Sequence, residues 1–94
     1  MPYTYIVRCK DGSYYTGSAK CLKRRVEVHN SGKGAKYTRS RLPVQLVYFE
    51  EFEEPGDARK REVALKRLNH VQKEELVKGF EESRLVLYYD KNNG

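Results

Sequence analysis

The segment CLKRRVEVHN, residues 21–30, carries an arginine and a histidine with the spacing of an amphipathic helix. Because helical residues advance by about 100° each, Arg25 and His29 lie one above the other within the apolar arc, whereas Arg24 lies on the polar face. A guanidinium keeps its proton, so an inward-facing one needs an acceptor or a solvated pocket. The alternatives to an anion-binding role are a structural ion pair and a side chain that extends past its neighbours to solvent.

A second helix, expected from about residue 57 to residue 68, carries one acidic residue that faces inward. Glu62 lies at the border of the apolar arc, beside Ala58 and Leu65, whereas the basic residues of this helix other than Arg61 lie outside the arc. Arg61 also falls within this arc, which the pattern does not explain; a structural Glu–Arg pair is the alternative to a functional role.

Tyrosines form the third group of candidate residues. Residues 3–9, YTYIVRC, alternate and are rich in aromatic and β-branched side chains, which is typical of a strand. This alternation places Tyr3 and Tyr5 on one face of the strand. A single pocket is therefore expected for five polar side chains: Tyr5, Tyr15, Arg25, His29 and Glu62.

The elements that must position these side chains are short and follow the order ββαβαα. An Asp-Gly pair within residues 10–13 predicts a hairpin turn between strands over 3–9 and 14–17. The remaining predicted elements are a helix over 20–30, a basic loop over 31–43 with one helical turn near 36–40, a strand over 44–53, a helix capped by Asp57, and a helix over roughly 71–82. A hairpin-first order favours an α+β domain, with helices packed on a small, largely antiparallel sheet.

The length of 94 residues predicts a single domain, which we place at residues 1–82. The expected C-terminal tail over 83–94 is apolar and strand-like at 84–90 and frayed thereafter. No apolar run approaches the ~20 residues of a membrane span, and the N-terminus lacks the pattern of a secretion signal. We therefore expect a cytoplasmic monomer that does not associate with membranes.

Two cysteines, Cys9 and Cys21, lie twelve positions apart in the chain. Structural zinc ligands usually come in close pairs, so a zinc site that joins these cysteines to His29 and His70 is the less favoured interpretation. A disulfide is also disfavoured, because nothing else in the sequence points outside the cell. Reduced thiols are the expected state.

The positive charge of the chain is concentrated in one quarter of its length. The formal net charge is +6, and residues 18–42 contain eight basic residues and one acidic residue, which gives this segment +7. A concentrated positive segment indicates a polyanionic partner, most simply nucleic acid. A solvated basic surface with no partner is the alternative.

The chain resembles the GIY-YIG nuclease family in the segments YTGSAKCLKRRV and HNSGKGAKYTRSRLPVQLVY. The resemblance covers about residues 3–68. It is greatest to the short, standalone, YhbQ-like bacterial members, and it extends to the nuclease domain of UvrC-type enzymes and to the catalytic subunit of a eukaryotic structure-specific endonuclease. Tyr3-Thr4-Tyr5 matches the first family motif and Tyr15-Thr16-Gly17 the second. Threonine replaces isoleucine in both motifs, and the first motif lacks its glycine.

The resemblance implies an α/β sandwich around a central three-stranded antiparallel sheet, and divalent-metal-dependent cleavage of DNA. Arg25 matches the family arginine, ten residues beyond the second-motif tyrosine, and His29 matches a His or Tyr four residues later. Glu62 matches the glutamate that binds the metal, here expected to be Mg²⁺ or Mn²⁺. A tyrosine is the expected general base. We favour Tyr5, with Tyr15 and His29 hydrogen-bonding water and phosphate.

We therefore expect an endonuclease that hydrolyses DNA phosphodiesters in a structure-dependent manner and is linked to DNA repair or recombination. The expected contacts to the DNA backbone, or to RNA, come from five basic residues: Lys20, Lys33, Lys36, Arg39 and Arg41. Because no separate specificity domain accompanies the motifs, a protein partner could supply the choice of target. The alternative is a non-catalytic or partner-dependent nucleic-acid-binding module. A basic protein that binds RNA or ribosomes without a defined site gives no reason for the inward-facing Arg25 and His29.

Overall fold

The computed structural model of the chain describes residues 1–80 and 84–85, and it begins with a β-hairpin. Strand β1 (Tyr3–Arg8) pairs antiparallel with β2 (Tyr14–Ala19) on one side and with β3 (Gln45–Glu51) on the other. The strand order is therefore β2-β1-β3. The predicted three-stranded antiparallel sheet and the α+β class are both confirmed.

Within residues 1–80, four helices connect and flank the strands. Helices α1 (Leu22–Asn30) and α2 (Lys36–Arg39) lie between β2 and β3, and helices α3 (Pro55–Lys66) and α4 (His70–Gly79) follow β3. Helix α2 is the single helical turn expected within the basic loop. The order of the longer elements is thus the predicted ββαβαα.

The sheet has an apolar core on each of its two faces. The odd-numbered residues of β1, such as Tyr5 and Val7, pack with Leu22 of α1 on one face. On the other face Ile6 packs with Val47 of β3 and Leu65 of α3. The sheet is therefore sandwiched between α1 and the α3–α4 pair, and side chains of successive β1 residues enter opposite cores.

Several element boundaries differ from the expectation by a few residues. Strand β2 continues past Gly17 to Ala19, because Gly17 pairs directly with Tyr5 and the ladder continues. Helix α3 begins at Pro55 with Glu54 as its N-cap residue, so the predicted cap at Asp57 is wrong. Proline has its φ angle fixed near the helical value and suits the first helical position. Asp57 instead lies in the first turn, where a carboxylate favours the helix dipole.

Helix α4 begins one residue before its predicted start, and a reciprocal capping box explains this. The Asn69 side chain accepts from the Gln72 backbone N–H, and the Gln72 side chain accepts from the Asn69 backbone N–H. The apolar tail predicted at 84–90 lies almost wholly outside the described residues. None of the described helices is long and apolar enough to cross a membrane.

Candidate active site

A buried chain of hydrogen bonds connects β1, α1 and α2 at the centre of the site. The hydroxyl oxygen of Tyr5 lies 2.8 Å from Nε2 of His29, and Nδ1 of His29 lies 2.9 Å from Oγ1 of Thr38. Thr38 donates its hydroxyl hydrogen to the carbonyl oxygen of Ala35 at 2.9 Å. Tyr5, His29 and Thr38 are each no more than 1% exposed. One buried path therefore links the first-motif tyrosine to the backbone of the basic loop.

This network assigns the protonation state of His29. The hydroxyl hydrogen of Thr38 is already used for Ala35, so Nδ1 of His29 must be the donor to Thr38. Burial and the positive charge of Arg25 lower the pKa of His29 to about 4, so the ring is neutral at pH 7. Its Nε2 therefore accepts the hydroxyl hydrogen of Tyr5.

The two adjacent arginines of α1 have different surroundings, as the helical geometry predicts. Arg24 is exposed, whereas Arg25 is half-buried and its Nε donates to the hydroxyl oxygen of Tyr5 at 3.4 Å. Among residues 1–80 and 84–85, no acidic side chain forms an ion pair with Arg25. Arg25 is therefore a guanidinium with one nitrogen held by Tyr5 and no internal carboxylate to neutralise it.

The environment of Tyr5 disfavours its ionised form. Burial raises the pKa of Tyr5 to about 12, although the hydrogen bond and charge of Arg25 act in the opposite direction. The charges of Tyr15 and Glu62 add to the rise, which places both groups near Tyr5. At neutral pH Tyr5 is thus a neutral hydroxyl that donates to His29.

Two glycines allow this close approach. A Cβ atom at Gly17 would lie 2.6 Å from the hydroxyl oxygen of Tyr5. A Cβ at Gly34 would lie 2.5 Å from Nδ1 of His29 and 2.9 Å from its Cα. Neither distance is compatible with an unshifted side chain, so the absence of a Cβ at these positions shapes the walls of the site.

Tyr15 lies at the exposed side of the same cluster. Its half-buried ring meets His29 edge-on, with 5.3 Å between ring centroids, and it lies nearly parallel to the ring of Tyr37. The Lys66 ammonium lies 6.0 Å from the Tyr15 ring centroid. The second-motif tyrosine is therefore the one that solvent and ligands reach.

Glu62 approaches the cluster from α3, on the other side of the sheet. Its carboxylate lies 2.7 Å from Nζ of Lys66 and also accepts a hydrogen bond from the Ser18 side chain. Burial raises the pKa of Glu62, but the bonds from Lys66 and Ser18 outweigh burial and lower it overall. The group is therefore a carboxylate at neutral pH. Because β2 is an edge strand, the charge of Glu62 acts on Tyr5 across that edge.

The threonine of the first motif fixes α3 against the sheet. Thr4 is fully buried and donates its hydroxyl hydrogen to the carbonyl oxygen of Ala58 at 2.6 Å. Glu62 follows Ala58 by one helical turn. The departure from the family pattern at this position thus holds the segment that carries the acidic residue.

The basic residues expected to contact nucleic acid lie on the surface. Lys20, Lys33, Lys36 and Arg39 are exposed. Arg41 is partly engaged, because its Nε donates to a carboxylate oxygen of Asp11 at 3.1 Å. Arg41 therefore ties the hairpin turn to α2 in addition to adding positive charge.

The described residues also bear on the other metal and pairing hypotheses. No group of three or more His, Cys, Asp or Glu side chains with metal-binding geometry occurs in the described part of the chain. Cys9 is buried and Cys21 is exposed, and both are free. Arg61, which the pattern left unexplained, forms a structural pair, with its Nε 2.9 Å from a carboxylate oxygen of Glu50.

Sequence reasoning missed several side chains that complete the site. Thr38 and Gly34 lie in the basic loop, where the pattern pointed only to positive charge and one helical turn. Ser18 and Lys66 contact Glu62 from different elements, and that contact depends on how α3 crosses β2. The spacing of four between Glu62 and Lys66 was the only available signal for their pair.

The sequence and the fold belong to a known superfamily of nuclease domains. The family model described as "GIY-YIG catalytic domain" matches residues 1–75. This chain is a member of the GIY-YIG family.

Within this family the chain is similar to short bacterial and archaeal proteins. It is 45% identical over 92 residues to a UPF0213 protein of Streptococcus pneumoniae, with 98% of this chain and 93% of that protein covered. A UPF0213 protein of Halobacterium salinarum is 47% identical over 76 residues, covering 81% of this chain and 99% of the relative. The solution NMR structure of a UPF0213 protein from Bacillus halodurans is 47% identical, with a TM-score of 0.53 and 83% and 84% of the two chains covered.

Proposed function

We propose that the protein hydrolyses nucleic-acid phosphodiesters at the site formed by Arg25, Tyr15, His29 and Glu62, with a divalent cation. The observation that carries this proposal is the half-buried guanidinium of Arg25, which Tyr5 orients and no described carboxylate neutralises. Burying a fixed positive charge without a partner is costly. A phosphate in contact with the free nitrogens of Arg25 removes that cost.

Arg25 would act on the charge of the reacting phosphate. Its Nε is held by Tyr5, which leaves the two terminal nitrogens for phosphoryl oxygens. Because Tyr5 also donates to the buried His29, the guanidinium is oriented before substrate arrives. Preorganised positive charge of this kind stabilises the charge that develops in the transition state.

The burial of the two tyrosines supports different roles for them. Tyr5 is 1% exposed and its hydroxyl hydrogen is committed to His29, which suits a positioning role. Tyr15 is half-buried and borders an open groove, so its hydroxyl can reach a water molecule. We therefore propose Tyr15, in place of the Tyr5 favoured by sequence, as the residue that orients and activates the attacking water.

Glu62 is the residue that would hold the metal. A single carboxylate suits Mg²⁺, which keeps several waters and takes other ligands from the phosphate. A bound divalent cation would supply Lewis-acid polarisation of the phosphate and stabilise the leaving oxygen. To hold the cation Glu62 would have to release the ammonium of Lys66, and its lowered pKa keeps the carboxylate ionised over the neutral range.

The neighbouring arginines offer a matched test. Purified protein is incubated with Mg²⁺ or Mn²⁺ and a panel of plasmid, duplex, flapped, nicked and single-stranded DNA and RNA. Arg25→Ala should lower the cleavage rate by about 10²–10³-fold, the usual effect of removing a preorganised transition-state contact. Arg24→Ala removes the same charge from the exposed face of the same helix and should change the rate less than about threefold.

Two further variants test the roles of the acidic and aromatic groups. Glu62→Gln should abolish metal-dependent cleavage while leaving folding intact. Tyr15→Phe should lower the rate without loss of stability, whereas Tyr5→Phe should lower both because it breaks the chain to His29. Equal losses for Arg24→Ala and Arg25→Ala, or cleavage that survives both Glu62→Gln and excess chelator, would refute the proposed site.

A binding module that does not cut is the second candidate. The observation that favours it is the 2.7 Å pair between Glu62 and Lys66, which satisfies the acidic residue without a metal. It predicts salt-sensitive binding and no turnover on the whole panel. Retention of this inactivity in Lys66→Gln, where Glu62 is free of its ammonium, would favour the binding module over the nuclease.

A further inference from the structure

An open groove runs along the outer edge of β2, beside the site. It has a volume of about 240 Å³ and crosses from the tyrosine-bearing strand to three different helices. Six residues line this β2-edge groove: Tyr14, Tyr15, Thr16, Tyr37, Lys66 and Lys73. Tyr15 is common to the groove and the site, so an occupant of the groove lies next to the reacting group.

Flat aromatic surface is the first feature of the groove. The rings of Tyr15 and Tyr37 are nearly parallel, with an interplanar angle of 22° and centroids 6.2 Å apart. Tyr37 is 39% exposed, which is unusual for so large an aromatic side chain. The Arg41 guanidinium lies 4.0 Å from the Tyr37 ring centroid, and Asp11 holds Arg41 in place. Tyr37 is thus supported in an orientation that keeps its ring beside the groove.

The groove also offers unsatisfied polar groups. Lys73 forms no ion pair with an acidic side chain of the described residues. Burial lowers the pKa of Lys73, and the nearby positive charge of Lys66 lowers it further. Thr16 is 2% exposed, and its Oγ1 has no hydrogen-bond partner among the described residues. That oxygen is itself buried and does not face the open groove, so the unpaired charge of Lys73 is the polar feature that an occupant would meet.

We propose that the β2-edge groove binds one unpaired nucleobase, whose neighbouring phosphate lies at Arg25. Aromatic faces stack on bases, and lysines at the rim complement the phosphate backbone. The volume is below the ~300–1,000 Å³ of pockets for drug-sized ligands, so it suits one base. Inside a continuous duplex both faces of a base are covered by its neighbours, so a base there must leave the stack before it can pack on tyrosine, whereas an unpaired base is free to do so. The inference rests on the proposed function and names its substrate class: single-stranded or locally unpaired nucleic acid.

Binding measured without cleavage tests the inference separately from the proposed function. Fluorescence anisotropy in excess chelator compares a twelve-nucleotide oligothymidine with the same backbone made of abasic residues. The full-length protein should bind the base-containing strand about 5- to 100-fold more tightly, the loss expected for one or a few stacked bases. Oligouridine, run in parallel, shows whether the groove takes DNA and RNA equally, and a paired duplex of the same length should bind no better than the abasic strand.

Groove variants locate the effect. Tyr37→Ala should remove most of the difference between the base-containing and abasic strands, and Tyr37→Phe, which keeps the ring, should retain it. Lys73→Gln should weaken binding of both strands more than Lys60→Gln, because Lys60 is an exposed lysine of α3 that does not line the groove.

The outcomes separate the two hypotheses. Equal affinity of the unmodified protein for base-containing and abasic strands overturns the inference, and this comparison needs no variant that might fail to fold. Cleavage that depends on Arg25, without any base effect, would leave the proposed function standing. A base effect erased by Tyr37→Ala, in a protein that cuts nothing, would support the groove and refute the nuclease.

Discussion

His29 shows how one buried side chain sets the state of its neighbours. It receives the hydroxyl hydrogen of Tyr5 and donates to Thr38, and both bonds require the neutral ring with its proton on Nδ1. The positive charge of Arg25 reinforces that state by disfavouring an imidazolium beside it. His29 is therefore a fixed acceptor for Tyr5 in the resting protein.

The depressed pKa of His29 predicts a pH dependence of stability. The pKa is about 4 in the folded chain and about 6.5 when unfolded, so between these values the unfolded state binds more protons. Stability is thus fully present above about pH 6.5 and falls as the pH drops towards 4, by up to about 3 kcal/mol. Chemical denaturation of the wild type and His29→Phe at pH 7 and 4.5 should show that this loss is specific to the wild type.

The second histidine provides the control for this measurement. His70→Gln removes an exposed imidazole and should leave the pH dependence in place. Imidazole ¹⁵N shifts at pH 7 should identify the Nδ1–H form of His29. A His29 ring that is already protonated at pH 6 would contradict the assignment.

Helix geometry explains what was predictable for single residues. The orientation of α1 follows from its own periodicity, so it correctly separated Arg24 from Arg25 and placed His29 inside. The same argument placed Arg61 within the apolar arc of α3 but did not identify its partner, because Glu50 lies on β3. Thr38 was not predictable, because its contact with His29 depends on how the loop after α1 folds back. That loop path depends on Gly34, whose lack of a Cβ makes the approach possible.

At the scale of elements, strand pairing and glycine placement act together. The register of β1 and β2 sets Gly17 directly opposite Tyr5, and the tyrosine hydroxyl occupies the space that a Cβ at Gly17 would need. Gly34 does the same between α1 and the basic loop, because its lack of a Cβ leaves room for the His29 ring. The second family motif thus ends in glycine at the point where the sheet must admit the Tyr5 side chain.

Alanine substitutions of glycine should therefore have different effects on stability in different elements. Gly17→Ala and Gly34→Ala should each destabilise the protein by about 1–3 kcal/mol, because a neighbouring ring or backbone must shift. Gly56→Ala, in the first turn of α3 with no atom within 4 Å of its Cβ, should cause no loss. Thermal denaturation measures all three, and a harmless Gly17→Ala would mean that Tyr5 lies elsewhere in solution.

The boundaries of elements were less predictable than their order. Several start signals lie together at the beginning of α3, namely Glu54, Pro55 and Asp57. The helix begins at the proline. Strand β2 continues past Gly17 because pairing with β1 supplies hydrogen bonds, and local propensity does not account for such pairing. Elements whose ends depend on partners distant in sequence are the ones that local patterns misjudge.

At the scale of the whole molecule, charge is distributed unevenly around a small fold. The +7 segment over residues 18–42 includes the exposed lysines and arginines of α1, α2 and the loop between them. The remainder of the chain has eleven basic and twelve acidic residues. Nucleic acid should therefore approach from the α1–α2 side, which also carries Arg25.

Salt dependence of binding should report this asymmetry. The triple variant Lys33→Gln, Lys36→Gln and Arg39→Gln should reduce the slope of log affinity against log salt by about 0.7–0.9 for each phosphate that the variant no longer neutralises. A triple variant with the same change in net charge on the α3 side, Arg59→Gln, Lys60→Gln and Arg67→Gln, should change the slope little. Equal reductions in both would mean that total charge, and not its placement, governs binding.

The path from Arg25 ends at the carbonyl oxygen of Ala35, next to Lys36 on the exposed loop. In the proposed function, contact between this loop and the nucleic-acid backbone is therefore coupled to the arrangement of the reacting groups. A phosphate that holds this loop in place also holds Thr38 against His29, and through it Tyr5 and Arg25. By thermodynamic reciprocity, a well-ordered Arg25 would in turn favour the loop conformation that binds phosphate. In the proposed nuclease, binding of nucleic acid and alignment of Arg25 would therefore depend on the same conformational equilibrium of the loop.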